Sequence, residues 1–218
     1  MHHENAASKN KAYVKSKEMN KVIYTMQQSI GCIGDSFPIQ NQSRKIIGQS
    51  FEKLVTLIMQ EIGLNCQPRS IKIPIPRHSP LKMSYQLDIV FSRKNKLAKK
   101  TLNVHHSEII GSIKTTSKDR IDKIFLDKYL LTKLLGRKIP VVAIFLHDVQ
   151  RAKKGKSIFG IASTFKTDHF LSYTIVLNKL DGVYYVDPRP DMLSDKLLKA
   201  QIFDFQQFLV EDLWRLSK

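Results

Sequence analysis

SIKTTSKDRIDKIFLDKYLL, residues 112–131, passes from the end of an apolar strand through a polar turn into an amphipathic helix. Ser117 is a suitable N-cap, and Asp119 stands in the first turn, where a carboxylate complements the helix dipole. Beyond it Ile121, Ile124, Phe125 and Leu131 recur at helical spacing and predict a buried stripe. Asp127 falls three residues after Ile124, at the border of that stripe, where it can point back toward a sheet. The helix is expected over residues 117–135, and the apolar run 139–147 reads as a buried strand. A strand–helix–strand unit of this kind implies a sheet with helices packed on it.

Upstream, residues 102–115 read as the strand that delivers Lys114, and 92–101 as a basic turn. In YQLDIVF, residues 85–91, strict alternation predicts Tyr85, Leu87, Ile89 and Phe91 on one face, with Gln86, Asp88 and Val90 on the other. IKIPIP, residues 71–76, also alternates, but its prolines restrict it to a sheet edge. Apolar positions at helical spacing predict two earlier helices. One covers about residues 10–30 (Val14, Val22, Ile23, Met26, Ile30) and the other 43–62 (Ile47, Phe51, Leu54, Val55, Ile58, Ile62), with Gly63 as its stop. Downstream, 148–168 reads as a mixed loop region, 170–178 and 183–186 as a hairpin, and 197–216 as a closing amphipathic helix. The fold class is α/β: a mixed central sheet flanked by helices.

The chain has 218 residues, with 36 Lys and Arg against 19 Asp and Glu, a formal charge of +17. That length suits a single domain over residues 1–218, with 1–40 as an N-terminal helical extension. Hydrophobic residues at 42% and charged residues at 25% exclude a wholly disordered chain. No apolar run approaches the roughly 20 residues that span a bilayer, and no secretory h-region is visible at the N-terminus, so a cytoplasmic protein away from membranes is expected. Cys32 and Cys66 form neither a disulfide scaffold nor a metal-ligand pattern. The positive charge is spread along the chain rather than confined to a tail, which favours a polyanionic partner, nucleic acid above all.

Asp88, flanked by Leu87 and Ile89, must face a cation or solvent, because an unpaired buried carboxylate is strongly unfavourable. Lys114 sits near the end of the neighbouring strand. Together they would offer an anionic socket for a divalent ion and an ammonium to align water, which is what phosphodiester hydrolysis requires. Glu108 shares a face with Lys114, but six residues of strand put it about 20 Å away at roughly 3.3 Å per residue. It therefore belongs to a solvated or distal part of the strand.

These residues, in this order, resemble the PD-(D/E)XK nuclease superfamily, with Asp88 as its first acid and Lys114 as its lysine. Ser112 stands where the usual second acid would be. Ser112-Ile113-Lys114 followed by Asp127 is similar to the subgroup of type II restriction endonucleases whose second acid has migrated to the following helix. Asp replaces that subgroup's usual Glu, which shortens the reach by one methylene. Gly48-Gln49-Ser50-Phe51-Glu52 looks like the helix carrying a further metal-site acid, here Glu52. Lys118-Asp119-Arg120 is similar to the triplet that reads outer C·G pairs in CCGG, CCNGG or CCWGG sites, cations donating to guanine and the carboxylate accepting from cytosine.

The resemblance covers about residues 48–135. It implies a restriction-endonuclease-like core, Mg²⁺ held by Asp88, Asp127 and Glu52, water positioned by Lys114 with Ser112 in support, and DNA contacts from Lys118, Asp119 and Arg120. It further implies cleavage of double-stranded DNA to 5′-phosphate and 3′-hydroxyl ends, a homodimer on a short palindrome, and a cognate methyltransferase. The first and last helices are candidates for the dimer interface.

Two other readings remain: a structure-selective repair or junction nuclease of the same superfamily, and a non-catalytic basic DNA-binding protein in which Asp88 and Lys114 form a structural ion pair. His105 and His106, read as adjacent strand residues, would face opposite ways and could not grip one ion. Phe159, Phe165, Phe170, Tyr173, Tyr184 and Tyr185 are expected in the core, Trp214 as an anchor of the last helix, and Asp187-Pro188 as a turn.

Overall fold

In the computed structural model, which describes residues 18–78, 80–93, 104–117, 120–151 and 161–217, six strands form one mixed sheet. They are β1 (Asn65–Pro74), β2 (Lys82–Ser92), β3 (Ile109–Thr116), β4 (Val141–His147), β7 (Gly182–Tyr185) and β8 (Ile202–Asp204), in the order β1-β2-β3-β4-β7-β8. The first three are joined antiparallel; β3, β4, β7 and β8 run parallel. A separate two-stranded sheet pairs β5 (Val149–Arg151) with β6 (Ile161–Ser163).

Helices cover both faces. On one lie α1 (Glu18–Asp35), α2 (Gln40–Glu61) and the closing helix α6 (205–216), around Ile23, Phe51, Val55, Met59, Phe208 and Leu213. On the other lie α3 (Ile121–Leu135) and α4 (Thr167–Val176), with Ile124, Phe125, Leu131 and Phe170 against the sheet. The strands supply both cores by alternation: Val142, Ile144 and Leu146 face the α2 side, while Val141, Ala143 and Phe145 face the α3 side. Full burial on both faces is why 139–147 is almost purely apolar. Two left-handed glycines terminate helices: Gly63 (φ 95°) follows α2 and Gly136 (φ 64°) caps α3.

Several elements differ from expectation. The strand bearing Lys114 begins at Ile109, because His105 and His106 lie in a turn with ring centroids 3.9 Å apart rather than on opposite faces of a strand. Residues 170–176 are helical, not the first arm of a hairpin; Phe170 and Leu171 pack toward the core from a short helix that the β-prone run FLSYTIV disguises. The expected helix at 197–216 is split: a 3₁₀ turn (Leu198–Ala200) and β8 precede α6, which holds a π-helical segment (Phe208–Asp212). A short helix α5 (Pro190–Ser194) follows β7. Within α6, the Trp214 indole donates to Leu209 O at 3.0 Å. No helix among the described residues is long and apolar enough to cross a membrane.

The consequential departure is in β2. Gln67 pairs with Val90 and Arg69 with Leu87, so two steps along β1 match three along β2. This bulge carries Asp88. Its effect is visible in the packing: Tyr85, Leu87 and Val90 join the α3-side core, whereas Ile89 and Phe91 join the α2-side core. The four residues expected on one face are divided between two.

Candidate active site

The ladder between β2 and β3 ends at Ile89–Gly111. Gly111 permits this close approach, since a Cβ there would lie 2.5 Å from Ile89 Cγ2. One step further, the strands fork. β3 continues along β4, with Ser112 opposite Ala143 and Lys114 opposite Phe145. The amide of Ile113 is taken by Asp88 Oδ2 at 2.9 Å instead of by a backbone carbonyl, and Ser112 Oγ donates to the same oxygen at 3.1 Å. Lys114 Nζ lies 2.5 Å from Asp88 Oδ2 and 3.4 Å from Glu52 Oε1, so one ammonium links β2 to α2. Burial, and then the charge of Asp88, push the Glu52 carboxyl above its ordinary value, with Lys114 opposing.

The fork opens into a cleft of about 200 Å³. Asp88, Ser112, Lys114, Arg120 and Asp127 all line it. Arg120 stands at the N-cap position of α3, which starts at Ile121. Ser117 contributes its carbonyl to the first turn, 3.2 Å from the amides of Arg120 and Ile121, rather than its side chain as a cap. Lys118 and Asp119 lie outside the described residues. Asp127 is on α3, 3.1 Å from Lys123 one turn earlier.

Among the described residues, no group of three or more His, Cys, Asp or Glu side chains converges closely enough to hold a metal. The donor set nonetheless fits Mg²⁺, which is commonly held by one or two carboxylates with water and substrate phosphates completing the shell. Asp88 is near enough to Glu52 to disfavour the charge of that carboxylate, which a divalent cation would relieve.

Glu108 is buried rather than solvated, and both of its oxygens bind Arg69, at 2.7 and 2.8 Å. Three features escaped sequence reasoning. That Arg69–Glu108 pair is one. Another is Lys128 of α3, whose ammonium meets Asp181 at 2.6 Å and the carbonyl of Lys179. The last is Tyr85, whose buried hydroxyl faces the charge of Asp127; burial, with that charge, pushes its phenol up to about 12. None had a usable signal: Tyr85, three residues before Asp88, reads onto the opposite face of a regular strand, and only the bulge brings both to one cleft.

The mixed sheet between helical layers matches the fold of two solved restriction endonucleases. The chain is similar to the type IIP restriction endonuclease Kpn2I, with a TM-score of 0.63 at 20% identity, covering 91% of this chain and 63% of that one. It is also similar to the restriction endonuclease PspGI, solved with its substrate DNA, with a TM-score of 0.55 at 17% identity, covering 95% of this chain and 76% of that one. The chain thus spans somewhat less than two thirds of the length of Kpn2I. No protein-family model and no curated protein matches the sequence.

Proposed function

We propose that the chain is a type II restriction endonuclease, making Mg²⁺-dependent, sequence-specific double-strand cuts in DNA. The observation that carries this reading is the Asp88–Lys114 pair at the strand fork, 2.5 Å apart in a cleft that Asp127 also lines. The fold shared with Kpn2I and PspGI and the charge of +17 support it.

In this reading Asp88 and Asp127 hold the ion, Glu52 completes or extends the site, and Ser112 steadies Asp88. Bound there, Mg²⁺ supplies Lewis-acid stabilisation of the phosphate and a more acidic water. Lys114 positions the attacking water and balances the charge developing on the phosphate oxygens. Lys118, Asp119 and Arg120 enter the major groove from the start of α3, reading outer C·G pairs of a short palindrome. Arg120 and Lys114 are six residues apart, so recognition and chemistry share one short segment.

A palindrome calls for a homodimer of matching symmetry. We assign its contact to the N-terminal 40 residues, where Val22, Met26 and Ile33 of α1 are exposed apolar side chains. The enzyme would act in the cytoplasm beside a methyltransferase that protects the same site.

The test is incubation with plasmid and Mg²⁺, followed by sequencing of fragment ends. Discrete bands with 5′-phosphate and 3′-hydroxyl termini are expected. Uncut plasmid alongside cleaved junctions would favour a structure-selective nuclease instead. Binding without any Mg²⁺-dependent cutting would make Asp88–Lys114 a structural ion pair in a DNA-binding protein.

A further inference from the structure

We propose that the Tyr85 hydroxyl donates a hydrogen bond to a phosphate oxygen of the DNA strand held in the cleft, so that Tyr85 touches the substrate. The proposal rests on the nuclease reading and adds a residue to it. Tyr85 is 8% exposed, yet its hydroxyl finds no hydrogen-bond partner among the described residues. A buried, unpaired donor destabilises a fold, and a phenylalanine ring would occupy the same space without that penalty. The hydroxyl is therefore a poor structural group, and a strand that opens the cleft far enough to reach it meets an unpaired donor.

Its location says what it binds. Tyr85 lines the cleft three residues ahead of Asp88 on β2, just before the bulge that re-aims Asp88. Of the cations lining the same cleft, Lys114, Lys123 and Lys128 are paired with Asp88, Asp127 and Asp181, whereas Arg120 at the start of α3 is placed to meet the phosphate that the nuclease reading puts there. Asp127 is the nearby carboxylate whose charge reaches the phenol, yet no hydrogen bond joins the two, and Asp127 Oδ2 is paired with Lys123. A neutral phenol stays protonated at physiological pH and donates to a phosphate oxygen in a charge-assisted bond without surrendering its proton.

The experiment compares wild type and Tyr85→Phe in three measurements on the full chain: single-turnover plasmid cleavage with Mg²⁺, duplex binding in Ca²⁺, and thermal melting. We expect Tyr85→Phe to cut on the order of 10²-fold more slowly, in line with loss of one transition-state donor, with melting temperature unchanged or raised. Equal cleavage rates overturn the role of Tyr85 and leave the nuclease reading standing. A lowered melting temperature matching the lost activity assigns the hydroxyl to structure and also overturns it. A wild type that cuts no DNA defeats both proposals.

Discussion

Arg69 grips both carboxylate oxygens of Glu108, at 2.7 and 2.8 Å, with Arg69 8% and Glu108 1% exposed. Glu108 also accepts the amide of His105 at 2.8 Å. The pair ties β1 to the turn that launches β3 and occupies the acid one residue before that strand. Removing one partner of such a pair strands a buried charge, so Arg69→Ala should lower stability by about 3–5 kcal/mol. Denaturant unfolding measures this; a change under about 1 kcal/mol would show that the pair contributes little.

Lys114→Ala should keep DNA binding and lose Mg²⁺-dependent cleavage. Its side chain is partly exposed at the cleft, so the fold should survive the change. Band-shift and plasmid assays on the same preparation decide the matter: normal cutting removes Lys114 from the mechanism.

Arg120 lines the cleft from the N-cap position of α3. Arg120→Ala should reduce discrimination between cognate and altered sites by about 1–3 kcal/mol, while affinity for unrelated DNA falls less. Competition binding across single-base variants of the mapped site tests this, and an unchanged preference would exclude Arg120 from base reading.

Glu52 has a raised folded-state pKa, caused first by burial and then by Asp88. The folded protein therefore retains a proton that the unfolded chain has released. The resulting stabilisation is complete below the ordinary glutamate value of 4.5 and is lost as pH rises through the raised folded value. Glu52→Gln, which never ionises, should gain stability relative to wild type across that interval and match it at lower pH. Denaturation midpoints followed from acid to neutral pH give the comparison; parallel curves would contradict it. Added Mg²⁺ should narrow the neutral-pH difference by stabilising wild type selectively.

Much of this molecule was legible because its signals are local. The 3.6-residue stripe of Ile121, Ile124, Phe125 and Leu131 marks α3, and the apolar run at 141–147 marks a strand buried on both faces. Asp88, Ser112 and Lys114 could be brought together in advance because neighbouring strands translate sequence into space reliably. What stayed hidden is non-local or irregular. The bulge at Asp88 leaves no mark in an alternating sequence, since YQLDIVF reads equally well without it. Lys128–Asp181 and Arg69–Glu108 join residues 53 and 39 positions apart. The strand β8 is three residues long, too brief for any periodicity.

At the fork, Asp88 is both the acid of the cleft and the group that closes the junction, through the amide of Ile113. On the proposed function, catalytic competence and local cohesion would be one event. Any fluctuation that parts the tips of β2 and β3 withdraws the carboxylate from Lys114 at the same moment. If the chain cuts DNA as proposed, a partly frayed copy would fall silent instead of persisting as a loosened cutter free to nick the wrong DNA.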